Sequence, residues 1–579
     1  MTGVEKRGHW LSVPFCLVAG LLLRIVGLQY GLPHVYNPDE VSIMTRALSF
    51  GTGTLNPHNF LYPTFFFYVL FGWVGSYLAL LWLTGGVASL SELKGLYFSD
   101  PGGIYTAGRL LSALAGTATI AAVYQLARRL GDSRVALAAA IFVAVSPLHV
   151  RDSHYVKHDV PATLAIVLAY LALTRAFLNA DSRSARRNLM VAAAVCGVTF
   201  SIHYYCVFLA IPLLATAVAA GRGSGLRRVV LNCLLVTGVS VGVFFLLSPF
   251  ILLEPMTAWR DITANREIVV DRALEAGPFT PVARYADMLL RDAVGIPVAL
   301  LAAIGMVAVV RLQPAIGLLL LSFPVAFFLF IVNTFPASRY LNPLVPFAAP
   351  FAAFAVSVIA KAITSRRSVI CFWAFTAAAA APALYQSVRT DLFFRRTDTR
   401  TIALREIAAI VPDGAAIAIQ PYSAPLEPTR ESLVRALERK LGRSAAPPPK
   451  FALQLSRQAW PTPSYDLVYL GRGLDADKVY VDYAELGGEE GLRALRQLGV
   501  AYVVIKRYNK SDPETLPFLA ALASEGRMVA TVSPYRPDTG NGDAPELEPF
   551  LHNTDARISS ALERPGPALE IWQIDGPRQ

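Results

Sequence analysis

Repeated apolar runs, each about long enough to cross a bilayer as a helix, constrain this chain more than any other feature of its sequence. A crossing helix takes roughly 20 predominantly apolar residues, and such runs lie near residues 10–30, 104–128, 135–150, 159–178, 188–203, 204–220, 229–250, 293–311, 314–333, 340–361 and 368–388. Eleven such runs predict a polytopic α-helical membrane protein, because inside a bilayer a helix satisfies its own backbone polar groups. The composition agrees, with 54% of the 579 residues hydrophobic and 16% charged, and a mean hydropathy of +0.46. The runs 188–203 and 204–220 meet at His203-Tyr204 with almost no loop, so a tight turn or short helices are expected there.

The net charge of +11 comes from Lys and Arg in short clusters between apolar runs. That is the pattern of topology signals, not of a nucleic-acid surface. All five cysteines lie in or beside apolar runs, which leaves no disulfide framework and no zinc-ligand spacing. Lys6 and Arg7 precede the first run without a small-residue cleavage site followed by a soluble chain, so that run reads as a retained helix.

The run 61–83 is also apolar and long enough to cross. If it stays on one face, the clusters at 128–134, 183–187, 222–228, 311 and 361–367 all fall on the side of Lys6 and Arg7, as the positive-inside rule asks. It therefore reads as a juxtamembrane or re-entrant helix within one long first external loop, 31–103, and its Pro63, Gly72, Gly75 and aromatic run Phe65-Phe66-Phe67-Tyr68 suit an interfacial element. The external face then collects His34, His58, His149, His154, His158 and His203, with Asp39, Glu40, Asp152, Asp159, Arg109, Arg151, Lys157 and Arg339. Ionisable groups at membrane depth tend to face a cavity and act there.

A second external loop, 252–292, is rich in Arg260, Asp261, Arg266, Glu267, Asp271 and Arg272 and is expected to hold an amphipathic helix. After about residue 389 the composition changes. Prolines cluster at 447–449, and short apolar strands (416–419, 467–470, 501–505, 528–532, 569–574) alternate with helical patterns at 431–441 and 491–498. The expected division is a transmembrane catalytic domain, 1–388, and an external α/β domain, 389–579, a candidate contributor to acceptor choice.

The string Asn37-Pro38-Asp39-Glu40 puts two adjacent carboxylates just beyond the first apolar run, and Asn56-Pro57-His58 and Tyr62-Pro63-Thr64 follow before the next one. Carboxylates, cations and aromatics at an outer membrane surface fit transfer from a lipid-phosphate donor. A carboxylate takes a proton from an acceptor hydroxyl or amine while Arg, Lys or His stabilises the leaving phosphate.

These strings, with Gly108-Arg109-Leu110, His158-Asp159-Val160-Pro161, Arg339-Tyr340-Leu341-Asn342-Pro343, Asp398-Thr399-Arg400 and Val411-Pro412-Asp413-Gly414, resemble the GT-C class of polyprenyl-phosphate-sugar-dependent glycosyltransferases. The branch is that of the protein O-mannosyltransferases and aminoarabinose transferases. The resemblance implies an inverting, single-displacement transfer of a sugar from a polyprenyl-phosphate donor to a protein, lipid or glycan acceptor at the outer face of the cytoplasmic membrane, with membrane lipids and no nucleic acid as further partners. It makes Asp39 the base or acceptor-orienting group, Glu40 a neighbour that shapes the site and Asp159 a second carboxylate. Arg109, Arg339, Lys157 and His158 become the leaving-phosphate contacts, with His58, Tyr62, His203 and Tyr340 also lining the substrate site. His203 stands where many relatives have lysine.

Blander roles stay open for several of these residues: a dipole-favoured helix-start carboxylate for Asp159, snorkelling for Arg109 and interface anchoring for Arg339. No cofactor is required by the resemblance. A divalent metal on a face shared by His154, His158, Asp152 and Asp159 is the minority alternative. A lipid flippase or a non-catalytic carrier-lipid-binding protein are the rival functions.

Overall fold

The computed structural model describes residues 3–267, 280–363, 367–457, 459–486, 492–507, 513–537 and 558–574. Asp271, Arg272, Arg366 and the start of the 491–498 helical pattern lie outside them.

In the first half, helices α1 (Gly3–Ile25), α2 (Pro38–Ser49), α3 (Phe65–Leu83), α4 (Leu90–Ser99), α5 (Gly102–Ala127), α6 (Ser133–Ala144), α7 (Pro147–Asp152) and α8 (Asp159–Leu178) are followed by α9 (Ala185–Phe200), α10 (Ala210–Ala219) and α11 (Leu226–Leu247). After these come α12 (Pro255–Arg266), α13 (Thr280–Met288), α14 (Ile296–Leu312), α15 (Pro314–Ile331), α16 (Val345–Ile363) and α17 (Ser368–Phe394). Helices α12 and α13 both fall in the second loop, and α13 is the amphipathic one expected there.

Among the described residues seven helices are long and apolar enough to cross a membrane, and an eighth span results if two helices bent by 111° about Ala293 and Ile296 count as one. Six of the seven coincide with expected crossings, and the seventh is Phe65–Leu83. Expected crossings at 10–30, 135–150 and 204–220 form shorter apolar helices, Ser12–Ile25, Ser133–Ala144 and Tyr204–Ala219. The reasons are local. Helix α6 stops because Ser146 and Pro147 restart the chain as α7, with Ser146 as its N-cap and Pro147 in its first turn. The junction at His203 is a tight turn, where the residue is extended (φ −152°, ψ 138°) and a 3₁₀ turn Tyr204–Leu209 leads into α10.

Close helix approach depends on small residues, as membrane packing requires. At Gly305 in α14 a Cβ would overlap the carbonyl of Phe351 in α16. Helix α3 begins at the ends of α9 and α11, where Phe65 N donates to Ser201 O at 3.2 Å and Thr64 N to Ser248 Oγ at 3.1 Å. It then runs antiparallel to the first turns of α5, with Trp73 Nε1 donating to Ala107 O at 2.8 Å and Tyr77 packed on Gly103.

Beyond α17, helix α18 (Thr399–Ile410) leads to a six-stranded sheet of β1 (Ala416–Ile419), β2 (Asp466–Leu470), β3 (Tyr480–Val481), β4 (Tyr502–Arg507), β5 (Gly526–Val532) and β6 (Ala568–Ile574). The order is β3-β2-β1-β4-β6-β5. The first four strands are parallel, with Ala418 opposite both Val468 and Val503, and β6 is antiparallel to β4, with Val504 opposite Ile571. Apolar residues on both faces explain the near-continuous hydrophobic strands. Ala418, Val503 and Ile505 pack under Phe518 and Leu522, while Ile417, Ile419 and Val504 pack under Ile407 and Val411 of the α18 segment.

Candidate functional site

The site starts from the cap of α2. Asn37 is a favourable N-cap and Pro38 a favourable first helical residue, and Asn37 Oδ1 accepts the Asp39 amide at 3.1 Å. Carboxylates in the first turn are then favoured by the partial positive charge of the helix start. Successive helical residues point about 100° apart, so Asp39 and Glu40 enter different surroundings. The side chain of Asp39 is 30% exposed, whereas Glu40 is wholly buried.

Glu40 and Arg109 form a two-pronged pair, Nε to Oε1 at 2.9 Å and the second guanidinium nitrogen to Oε2 at 2.8 Å. The remaining terminal nitrogen of Arg109 donates to Leu28 O at 2.9 Å and Tyr30 O at 2.7 Å, and Glu40 Oε1 also accepts Val156 N at 2.8 Å. Arg109 is fully buried. The expectation that it faces a lipid phosphate is therefore corrected: its donors tie α5 to Glu40 of the first loop and to the chain just before that loop, and Glu40 in turn holds Val156 in the stretch before α8. A buried charge needs such partners, because a lone guanidinium there would cost several kcal/mol.

Asp39 Oδ2 is held by two cations from distant parts of the chain. Lys157 Nζ lies 3.1 Å away, and Arg339 pairs with the same oxygen. Lys157 comes from the loop before α8, and Arg339 from the 3₁₀ turn Ser338–Leu344 before α16, where its guanidinium sits 5.3 Å from the Tyr340 ring centre. Asp159, the first residue of α8, lies in the field of Arg339, Lys157, Asp152 and Asp39. Below this group Arg151 pairs with Asp152 at 2.8 Å and donates to Ser338 Oγ at 3.0 Å. Asn342 Nδ2 donates to the other Asp152 oxygen at 2.5 Å. The Arg-Tyr-Leu-Asn turn is thus anchored to the α7 end by charge-assisted hydrogen bonds, the stronger kind.

An aromatic wall closes one side. The Tyr62 ring stacks on His158 at 4.4 Å and 12°, and Phe66 and Phe67 lie 4.5 and 5.0 Å from the same imidazole. His203 stacks on Tyr205 at 3.8 Å and meets Tyr62 edge-on at 5.1 Å. Burial, and after it the Arg46 charge, push His158 down to about 3. Burial, followed by the charges of His158 and Arg339, holds His203 well below its ordinary value. Both rings are neutral at physiological pH. His158 is therefore a neutral slab in a stack, and His203 likewise brings no charge to the site.

His58 lies elsewhere in the first loop. Its φ is +48°, its side chain is 66% exposed, and Nδ1 is 3.8 Å from Glu254 of the second loop, to which Asn56 also donates. His154 and His158 do not share a face, since the His154 ring nitrogens reach Val150 O and Val26 O, both at 2.9 Å. Among the described residues no three His, Cys, Asp or Glu side chains gather as metal ligands. Arg46, missed in the sequence, lies two turns after Asp39 on the same face of α2, and its charge acts on Tyr62 and His158. The seven-residue spacing was its only signal.

A family model for dolichyl-phosphate-mannose-protein mannosyltransferases matches residues 102–252, a stretch that includes Lys157, His158, Asp159 and His203. No curated protein matches the sequence. Among solved structures, the apo oligosaccharyltransferase of Archaeoglobus fulgidus is 12% identical over 99% of this chain and 89% of its own, with a TM-score of 0.52. Apo ArnT from Cupriavidus metallidurans is 14% identical over 98% of both chains, with a TM-score of 0.50. That same ArnT has been solved bound to undecaprenyl phosphate, with a TM-score of 0.49 to this chain. At these identities the likeness is one of fold.

Proposed function

The chain has the fold of the GT-C glycosyltransferase superfamily, and we propose that it transfers a sugar from a polyprenyl-phosphate carrier to an acceptor at the outer face of the cytoplasmic membrane, with inversion. The observation that carries this reading is the Asp39 carboxylate, partly open and bracketed by Lys157 and Arg339 beside Asp159. A donor phosphate competes with Asp39 for the two cations, so its arrival both seats the donor and releases the carboxylate. The acceptor oxygen or nitrogen then bonds to the anomeric carbon as the bond from that carbon to the phosphate oxygen breaks. The electron pair leaves on the phosphate, where Lys157 and Arg339 neutralise it, and the acceptor proton passes to Asp39. Asp159 helps orient the acceptor. The stacked Tyr62 and His158 offer a flat wall to the donor. These steps ask for no resident cofactor.

Two further features are part of the proposal. The carrier class is supported by the match of residues 102–252 to the model of dolichyl-phosphate-mannose-protein mannosyltransferases. The position of α3 outside the bilayer is supported by its start at the helix ends Ser201 and Ser248 and its course beside the opening turns of α5.

The test is transfer of radiolabel in membranes carrying wild type or Asp39→Asn at matched levels. These are given undecaprenyl-phosphate mannose, glucose, galactose or 4-amino-4-deoxyarabinose and an envelope extract as acceptor. Wild type is expected to label an acceptor, and Asp39→Asn to lose roughly a hundredfold or more, the scale of a missing general base. Labelling by the mutant at the wild-type rate removes Asp39 from the chemistry, and silence of wild type across the panel refutes the donor class.

A further inference from the structure

The loop that carries Asp39 is gripped from the other half of the molecule. Asp398 caps α18 and takes Arg400 in a two-pronged pair, Nε to Oδ1 and the terminal nitrogen to Oδ2, both at 2.8 Å. These two residues and Thr401 hold the two tyrosines that frame the turn into Asn37-Pro38-Asp39. Tyr30 OH donates to Asp398 Oδ2 at 2.9 Å and accepts from Arg400 at 3.2 Å. The Arg400 guanidinium lies 3.9 Å over the Tyr36 ring, and Tyr36 OH shares a 2.6 Å hydrogen bond with Thr401 Oγ1. Asp398, Arg400, Tyr30 and Tyr36 are all buried.

The same segment is locked to the sheet. Thr399 donates through N to Pro565 O at 2.9 Å and through Oγ1 to Pro567 O at 2.7 Å. Between them Gly566 (φ +100°) passes so close that a Cβ would overlap Thr399 and Asp398. One residue after Pro567, β6 begins. On the loop side, Tyr30 O is also an acceptor for Arg109, and Tyr36 directly precedes Asn37, the cap that orients Asp39. Side-chain contacts and chain connectivity together therefore link the segment just before β6, through Thr399, Arg400 and Tyr36, to the Asn37 cap of the helix that carries Asp39.

We infer that Arg400, with Asp398 and Tyr36, is a positioning residue that sets where Asp39 stands relative to Lys157 and Arg339, so that the C-terminal sheet holds the catalytic loop in register. This deepens the proposed transfer reaction and rests on it. Planarity explains why arginine serves here: one face covers the Tyr36 ring while one edge pairs with a carboxylate, which an ammonium cannot do together. The grip acts on geometry, not on substrate, so its loss appears in kcat. A displacement of about 1 Å at a reacting group is enough for roughly a hundredfold.

The full-length chain is tested as Arg400→Met, Arg400→Lys and the milder Tyr36→Phe, alone and combined with Asp39→Asn. Expected for Arg400→Met is a kcat loss of roughly 10–100-fold, with KM for the undecaprenyl-phosphate sugar held within about threefold. Arg400→Lys fails to rescue, and Tyr36→Phe falls in between. In the double variant the two losses do not add, because a group that acts only through Asp39 has nothing left to position. Additive losses overturn the inference and leave a merely structural role.

A second readout needs no activity. A spin label at Ser42→Cys, on the exposed side of α2, with Cys233 and Cys371 replaced by serine, is expected to gain mobility in Arg400→Met and Tyr36→Phe. Unchanged mobility in both sinks the grip even if wild type proves to transfer nothing, the result that counts against the proposed reaction.

Discussion

Adjacent residues here do opposite work. Glu40 is sealed against Arg109, whereas Asp39 meets Lys157 and Arg339 at a partly open surface. Glu40→Gln leaves the buried Arg109 guanidinium with its charge uncompensated. A loss of roughly 3–5 kcal/mol is expected for breaking such a pair, read as a lower melting temperature in detergent and a lower membrane level. Asp39→Asn is expected to keep the wild-type melting temperature while losing activity. If Glu40→Gln melts with wild type, the pair does not hold the loop.

His158 gives a pH prediction at the same scale. In the unfolded chain a histidine titrates near 6.5, but in the fold burial pushes it down to about 3. Between these values the unfolded state binds the proton and the folded state does not, so stability falls as pH drops through that window and is unaffected above it. His158→Phe, which keeps a flat ring against Tyr62, is expected to flatten the fall in melting temperature between pH 6.5 and pH 4. An acid limb as steep as that of wild type assigns the loss to other groups.

Among the elements, helix contact is set by single glycines. Gly305→Leu drives a side chain into the Phe351 carbonyl, backbone that cannot rotate away, and is expected to cost at least about 1–3 kcal/mol, the usual range for overpacking. Gly72 in α3 has open space where a Cβ would stand. Gly72→Ala should be neutral or slightly stabilising, since alanine is the better helix former. The contrast is read by melting temperature in one detergent.

Helix α3 itself was ambiguous in sequence, because length and apolarity satisfy both a crossing and an interfacial helix. Its neighbours supply the better guide, Ser201 and Ser248 at its start and Ala107 beside its middle. A cysteine at Leu83, which is largely exposed, is expected to react with an impermeant maleimide from the same side of the membrane as one at Thr54. Labelling from opposite sides makes α3 a crossing helix.

For the whole molecule, much was legible in the order of the chain. Apolar runs of bilayer length specify membrane helices because hydrocarbon leaves the backbone no other partner. Short β-branched runs between polar helices specify the sheet, whose β1 coincides with the expected strand. The gathering of Asp39, Asp159, Lys157 and Arg339 near one surface also followed from where charges interrupt apolar runs. Expectation and structure parted where a residue's role depends on which way it faces. Arg109 and Arg339 look alike in sequence, each near a helix start. One pairs with a buried carboxylate 69 positions earlier, and the other reaches a partly open carboxylate 300 positions earlier.

The hydrophobic pattern by itself determined that this chain is a membrane helical bundle with an α/β domain after it, since burial of apolar surface and backbone satisfaction are decided within each segment. Only the tertiary structure decided which of its charges are sealed, which remain open, and that Arg400 sits on the ring beside the Asp39 loop. Those outcomes depend on partners brought together from far along the chain, and local periodicity carries no record of them.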